Sequence, residues 1–207
     1  MCGRMTLTLP DFGEFVGFLG VTGSDELRAD YRPRFNVAPT DPHFVVVGGA
    51  NRTLVRGRWG MGPRRTINAR AETAGKLATF RTARRCVVPA DGFYEWDPST
   101  RVPRWFHGKT APLLTFAGIH DVALGFAVLT VSANPLVALV HDRMPAILAA
   151  SEIDAWLGGA DVRLGPANDD VLIAHDVDDR VGNVRNDDPA CIAPRTAPIG
   201  PRQGKLF

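Results

Sequence analysis

The sequence contains no run of about eighteen apolar residues, although apolar residues make up 45% of its 207 positions. A membrane-spanning helix needs a run of roughly that length. The N-terminal region also lacks the apolar segment of a secretory signal peptide. These absences predict a cytoplasmic protein that makes no contact with a membrane.

Cysteine and histidine are few and scattered. The cysteines form no C-x-x-C pair, so the pattern favours neither a disulfide framework nor a zinc site. No two histidines lie at a spacing typical of metal ligands. The sequence therefore predicts no metal and no cofactor. The residues are Cys2, Cys86 and Cys191, and His43, His107, His120, His141 and His175.

Lysine is rare, since only three of the 24 basic residues are lysine. Charge is also uneven: residues 1–110 carry 17 basic against 10 acidic residues, and residues 111–207 carry 7 against 12. Arginine presents forked donors that match phosphate, so an arginine-rich half favours an anionic partner. A coding bias toward arginine explains the composition equally well.

The apolar pattern predicts short elements in no repeating βαβ order. Helices are expected at 11–19, 72–80, from 134, at 153–157 behind a capping box at 151–154, and near 169–175. Strands are expected at 43–47, 53–59, 86–88, 93–96, 104–107, 113–119, 126–131 and 179–184. This order predicts a single α+β domain over residues 1–207. Its core is expected to be curved, mostly antiparallel and barrel-like, with an irregular tail from about residue 189.

Cys2 is the first candidate for chemistry. Because cysteine is small, methionine aminopeptidase is expected to remove Met1 and leave an α-amine and a thiol two carbons apart. The α-amine has a pKa of about 7.7–8.0, against about 10.4 for lysine, so more of it is the free base near neutral pH. It can form a Schiff base with an aldehyde, and the thiol can then close a thiazolidine. The position of one cysteine is, on its own, weak support for this role.

Four further polar residues stand at positions suited to a site. Asn68 could orient the N-terminal residue or a sugar oxygen, and Arg70 could clamp a phosphate or form a structural ion pair. Glu95 lies between aromatic residues whose surroundings would raise its pKa toward that of a general acid or base, unless it is a solvated edge carboxylate. His141 could shuttle protons, although a lone histidine is more often structural. Glu72 is expected in the first turn of a helix.

The motifs resemble those of the SRAP family, the SOS-response-associated peptidases, over nearly the full chain. Several such segments in collinear order are highly specific to this family. They lie at residues 1–4, 35–40, 58–61, 68–73, 86–96, 130–134, 141–148 and 184–189.

The resemblance implies an α+β domain with a β-barrel-like core and a basic groove for single-stranded DNA containing abasic sites. Cys2 would attack the ring-opened sugar and form a thiazolidine, with Asn68 positioning it. Glu95 would assist proton transfer and ring opening, and His141 would assist imine chemistry. The chain is expected to act as a monomer. Residues expected to hold phosphate, sugar or a stacked base are Arg4, Trp59, Arg70, Thr130 and Arg143.

One segment departs from the family pattern. Residues 61–67 form a shorter stretch than family members usually carry, without the additional tryptophan often found there. Contact with a flanking strand or duplex junction is therefore expected to differ, with Arg64 and Arg65 supplying positive charge. Two other functions stay open: a peptidase with Cys2 as an N-terminal nucleophile, or a non-covalent nucleic-acid-binding module.

Overall fold

Five short α-helices lie within the described residues, and three of them begin behind a capping side chain. The computed structural model describes residues 2–49, 51–76, 80 and 82–196. Asp11 caps α1, and Asn134 caps α4 ahead of a proline in its first turn. No helix in these ranges is long and apolar enough to span a membrane. The helices are α1 (Phe12–Leu19), α2 (Asp25–Asp30), α3 (Ala71–Ala74), α4 (Pro135–Ala138) and α5 (Ile153–Leu157), with 3-10 helices at Ala150–Glu152, Asp179–Gly182 and Pro189–Cys191.

The described strands form two sheets. They are β1 (Met5–Leu7), β2 (Arg34–Val37), β3 (Pro42–Val47), β4 (Thr53–Arg58), β5 (Asn68–Arg70), β6 (Arg84–Ala90), β7 (Gly92–Trp96), β8 (Pro103–Gly108), β9 (Leu114–Asp121), β10 (Gly125–Ser132), β11 (Arg143–Pro145) and β12 (Leu172–Asp176). The first sheet has the order β12-β8-β7-β1-β2, and the second has the order β11-β10-β9-β6-β3-β4, with β5 also paired to β10. The β5–β10 pair is parallel, and the other strand pairs are antiparallel.

Aromatic side chains fill the space between the two sheets. Phe93 on β7 stacks on Phe106 of β8, with ring centroids 5.1 Å apart. Phe93 also meets Phe116 of β9 edge to face at 6.0 Å. All three rings are fully buried. Because β7 and β9 belong to different sheets, this contact fixes the first sheet against the second.

The predicted fold class is confirmed. Helices and strands are mixed without a repeating βαβ order, and the strands are mostly antiparallel. The expected barrel does not close, because the described strands form two open sheets. In the first sheet β12 and β2 are the edges, and in the second β11 and β4 lie at the ends of the order.

Two predicted elements near the C-terminus are wrong. The helix expected at 169–175 is instead strand β12, which pairs with β8 along five residues and extends the sheet. The strand expected at 179–184 begins as a 3-10 helix, because the Asp178 side chain accepts a hydrogen bond from the Arg180 amide and stabilises a turn. Both errors concern segments whose conformation depends on a neighbour or a cap rather than on apolar periodicity.

Other differences concern bounds. The helix expected at 72–80 covers only Ala71–Ala74, and residues 77–79 lie outside the described ranges. The helix Ile153–Leu157 is confirmed. The capping box begins two residues earlier than expected, because the Glu152 carboxylate accepts a hydrogen bond from the Ala149 amide. In the tail from Pro189, one 3-10 helix precedes an isolated bridge between Val177 and Pro194.

Candidate active site

The segment that carries Cys2 leads directly into β1, between β7 and β2 of the first sheet. Strand β1 pairs with β7 in the register that sets Met5 opposite Phe93, and the Tyr94 amide donates to the Arg4 carbonyl at 3.0 Å. Continued toward the N-terminus, this register sets Glu95 opposite Gly3, next to Cys2. Strand pairing therefore brings a carboxyl group to the start of the chain.

Asn68 reaches the same place from the second sheet. It begins β5, and its Nδ2 donates to the Cys2 carbonyl oxygen at 2.6 Å. The residue is 9% exposed, and its buried Oδ1 has no hydrogen-bond partner among the described residues. A buried acceptor without a partner is costly. Asn68 thus holds the Cys2 backbone and keeps an acceptor for a further N–H or O–H donor.

Glu95 and His141 complete the cluster. Glu95 is 5% exposed, and burial raises its pKa, while the charge of His141 acts in the opposite direction. The Arg143 amide donates to His141 Nδ1 at 2.9 Å. A backbone amide can only donate, so the neutral imidazole carries its proton on Nε2. The Asp142 carboxylate lies 3.0 Å from the same Nδ1, and it attracts the imidazole ring only when the ring is protonated.

The Cys2 thiol is buried and neutral. It is 1% exposed, and its Sγ lies 3.4 Å from the Arg4 carbonyl oxygen. Burial raises the pKa of the thiol, and the negative charge of Glu95 raises it further. The sulfur therefore stays protonated near neutral pH, which leaves the first nucleophilic step to an amine.

The structure brings together all four residues that the sequence selected for chemistry. Cys2 contacts Asn68 directly, and Glu95 interacts electrostatically with both Cys2 and His141. They come from four segments far apart in the chain, and the roles assigned to them stay predictions. Among the described residues, no group of three or more His, Cys, Asp or Glu side chains is arranged to hold a metal ion.

Of the five residues selected for DNA contact, Arg70 is exposed. It lies at the junction of β5 and α3, and its positive charge contributes to lowering the pKa of the nearby Glu72. Within the described part of the chain, no hydrogen bond or ion pair engages the Arg70 guanidinium. It stands two residues after Asn68, so a phosphate bound there would lie beside the cluster.

Trp59 and Thr130 do not suit the contacts expected of them. Trp59 is fully buried, stacks on Phe126 with ring centroids 6.5 Å apart, and donates from Nε1 to the Ile67 carbonyl. Its faces are therefore closed to a nucleic-acid base in this conformation, and the stacking role stays a prediction that its burial does not support. Thr130 is also fully buried, with its hydroxyl 3.4 Å from the Ala69 carbonyl oxygen. Both side chains are therefore enclosed by the protein itself.

Arg143 is engaged within the protein. Its guanidinium donates to both carboxylate oxygens of Glu72, at 2.8 and 2.9 Å, and to the Thr130 carbonyl. The hydrogen bond from Arg143 lowers the pKa of Glu72 to about 2. Glu72 lies in the first turn of α3, as the sequence predicted. The hydrogen bonds of Arg143 therefore connect β11 to β10 and α3, on the side of the site where Asn68 lies.

Arg4 is also engaged, through residues that the sequence analysis did not select. Its Nη1 donates to Asn36 Oδ1 at 2.8 Å and to the Val181 carbonyl at 2.6 Å. Asn36 is fully buried, and Asp187 accepts from its backbone amide. Both residues lie inside segments that resemble the SRAP family, and this resemblance was the signal in the sequence that could have identified them. No local pattern shows that such distant polar residues meet.

Comparisons with known proteins place the chain in a family. A family model described as SOS response associated peptidase (SRAP) matches residues 1–184. The chain is 32% identical, over 225 aligned positions, to abasic site processing protein YoqW of Bacillus subtilis (strain 168), covering 93% of this chain and 99% of that protein. It is 29% identical, over 226 positions, to abasic site processing protein HMCES of Gallus gallus, covering 79% and 67%.

Solved structures share the fold. A crystal structure of a Bacteroides thetaiotaomicron protein superposes with a TM-score of 0.80 at 20% identity, covering 94% of this chain and 100% of that one. A Bordetella bronchiseptica protein superposes with a TM-score of 0.70 at 28% identity, covering 86% and 100%. The family model spans most of the described residues, including all four of the clustered side chains. The chain belongs to the SOS response associated peptidase family.

Proposed function

We propose that the protein captures abasic sites in single-stranded DNA by forming a covalent thiazolidine through Cys2. The observation that carries the proposal is the convergence of Cys2, Asn68, Glu95 and His141 from four distant segments into one cluster. A ring-opened abasic sugar presents an aldehyde, and an N-terminal cysteine offers the amine and thiol that react with one. Relatives named abasic site processing proteins support this substrate.

The reaction begins once removal of Met1 has freed the Cys2 amine. The amine adds to the aldehyde carbon, and loss of one water gives an imine. The thiol sulfur then bonds to the same carbon, and its proton is transferred to the imine nitrogen, so the ring closes without any oxidant or reductant. Closure is intramolecular, which strongly favours the cyclic product.

Each residue of the cluster has a role that follows from its environment. Asn68 anchors the Cys2 carbonyl, which fixes the direction of the amine. Burial raises the pKa of Glu95, so its carboxylic acid form persists at higher pH than usual and can protonate the departing sugar-ring or carbinolamine oxygen. His141 moves protons at the nitrogen during imine formation. The neutral thiol of Cys2 waits until the imine exists.

The DNA contact that the structure supports best is at Arg70. It is exposed beside Asn68, whereas Trp59 is buried and Arg143 is paired with Glu72. Positive charge in the N-terminal half of the chain adds a sequence-independent attraction to the phosphate backbone. Capture therefore depends on the lesion and on phosphate contacts, and we propose no residue that recognises a base.

The test is a denaturing gel of protein mixed with single-stranded DNA that carries one abasic site. The N-terminus is first checked by mass spectrometry for the absence of Met1. We expect a shifted band that requires both the aldehyde and Cys2. Cys2→Ala should remove the stable band and leave DNA affinity almost unchanged.

Cys2→Ser separates the two chemical steps. Serine keeps the α-amine, so the variant should give a band only after the imine is reduced with borohydride. No band from the wild-type protein with Met1 verified absent would contradict the proposal. In that case, cleavage of peptides that is lost in Cys2→Ala would support the peptidase alternative.

A further inference from the structure

The Arg4 side chain is enclosed by a segment near the other end of the chain. Its Nη1 donates to the Val181 carbonyl at 2.6 Å, and its Nη2 donates to the Gly182 carbonyl at 3.2 Å. The guanidinium also lies 5.9 Å from the centroid of the Trp96 ring. Three acceptors, including Asn36 Oδ1, therefore use the guanidinium within the protein. These contacts oppose the phosphate-binding role expected from the family resemblance.

Asn36 links this segment to β2. Its Oδ1 accepts from Arg4, and its Nδ2 lies within 3.1 Å of the carbonyl oxygens of Val181, Asn183 and Asn186. The residue is fully buried. A buried amide with its hydrogen-bonding groups used in this way is rigid and costly to replace. Asn36 therefore sets both the position of Arg4 and the path of the chain around it.

Asp187 links the same segment to β2 through its side chain. Its Oδ1 accepts from the amides of Phe35 and Asn36, at 2.6 and 3.0 Å, and its Oδ2 pairs with Arg34. The neighbouring Asp188 points to other partners, Arg180 and the Ala190 amide. One carboxylate thus fastens the 181–187 segment to β2, and the next one does not.

Arg4 is directly connected to the reacting group. The Cys2 thiol lies 3.4 Å from the Arg4 carbonyl oxygen, and the same carbonyl accepts from the Tyr94 amide of β7. The backbone at Arg4 is thus held by β7, and its side chain is held by Asn36 and the 181–187 segment. A displacement at either end would therefore change the position of the carbonyl that the Cys2 thiol contacts.

We propose that Asn36 and Asp187 are positioning residues, which act through Arg4 to aim the Cys2 thiol at the imine carbon for ring closure. This inference rests on the proposed function. Of the two reactive groups of Cys2, imine formation uses only the amine, whereas ring closure also needs the sulfur within bonding range of the same carbon. Loss of the anchor should therefore slow the second step and spare the first.

The experiment follows both steps with abasic single-stranded DNA at saturating concentration. Rapid borohydride quenching traps the imine, and denaturing gels without reductant measure the closed thiazolidine. Asp187→Ala should form the imine at the wild-type rate and close the ring about 10- to 100-fold more slowly, the effect of a displacement near 1 Å. Asp187→Asn keeps an acceptor for the Phe35 and Asn36 amides and should recover most of the closure rate.

Asp188→Ala is the matched control, since it removes the adjacent carboxylate and the same charge. It should close at the wild-type rate. Arg4→Lys keeps the positive charge but cannot reach three acceptors, so it should close slowly and bind DNA with unchanged affinity. Weaker DNA binding with a normal closure rate in Arg4→Lys would overturn the inference and restore Arg4 as a phosphate contact. Equal slowing of both steps in Asp187→Ala would also overturn it.

A measurement without DNA separates this inference from the proposed function. Alkylation of Cys2 by iodoacetamide, followed by mass spectrometry, reports how firmly the thiol is held. Asp187→Ala should raise the Cys2 rate about tenfold, while buried Cys86 in β6 serves as the internal reference for general unfolding. If the wild-type protein fails to crosslink but this difference is found, the proposed function fails and the anchor stands. If Cys2 and Cys86 accelerate together, or neither does, the anchor is refuted.

Discussion

Burial raises the pKa of Glu95, an effect that its position in the sequence could only suggest. The side chain lies in β7 and is 5% exposed, and the resulting desolvation raises its pKa above the ordinary value. A carboxylic acid that stays protonated at higher pH is a better proton donor near neutrality. The aromatic neighbours in the sequence were the basis for this expectation, and the structure supplies the burial.

Glu95→Gln should slow covalent capture about 100-fold, because the amide cannot transfer a proton. Glutamine is nearly isosteric, so the thermal midpoint should change little. The pH profile of the capture rate is the sharper measurement. In the wild-type protein, the rate should fall as the pH rises through the Glu95 pKa, which lies above 4.5. A Gln variant that keeps the same descending limb would show that another group is the acid.

At the scale of elements, the junction of β5 and α3 organises one side of the site. Asn68 and Arg70 stand at the two ends of a three-residue strand, and Glu72 follows in the first turn of α3. The parallel pairing of β5 with β10 sets Asn68 opposite Val128. This short strand therefore aims the Cys2 anchor inward and leaves the next arginine exposed.

Arg70→Ala should weaken binding to intact single-stranded DNA and flatten its salt dependence. Loss of one phosphate contact reduces the slope of log K against log salt by about 0.7 for a single strand. Fluorescence anisotropy over a series of salt concentrations measures both quantities. Arg28→Ala is the control, because it removes the same charge from an exposed position in α2. Equal slopes for the Arg70 variant and the wild-type protein would remove Arg70 from the phosphate contacts.

For the whole molecule, acid stability depends on a histidine outside the site. Burial lowers the pKa of His43 from 6.5 to about 4, although its Nε2 lies 2.7 Å from the Pro89 carbonyl oxygen. Between these pH values the unfolded chain binds the proton and the folded chain does not. The His43 contribution to stability is therefore present above pH 6.5 and is lost as the pH falls toward 4.

His43→Gln should make the free energy of unfolding less dependent on pH between 6.5 and 4. The wild-type protein should lose about 3 kcal/mol across this window from His43 alone. Glutamine can still donate to the Pro89 carbonyl, which limits the loss of stability at neutral pH. Urea titrations at several pH values provide the measurement. A variant whose stability falls as steeply as that of the wild-type protein would assign the acid sensitivity to other groups.

Much of the fold was predictable because, in those segments, the local sequence pattern agrees with the burial and pairing found in the tertiary structure. The helix Phe12–Leu19 and the hairpin of β3 and β4 follow from apolar spacing, an Asp cap and a glycine-rich turn. Strands β1, β2, β5 and β11 were missed because three or four residues are too short for a period to show. Strand β12 was mistaken for a helix because its pairing partner β8 lies more than sixty residues earlier.

The sequence by itself determined the family, the α+β class and the four residues of the chemical cluster, since each depends on residue identity and order. Only the tertiary structure decided which residues face the solvent. Trp59 and Thr130 carry suitable groups for DNA contact but lie in the core, while Arg4 is held by Asn36 and the 181–187 segment. Burial and hydrogen bonding between residues as far apart as Arg4 and Val181 depend on how the sheets meet, and no local pattern encodes that.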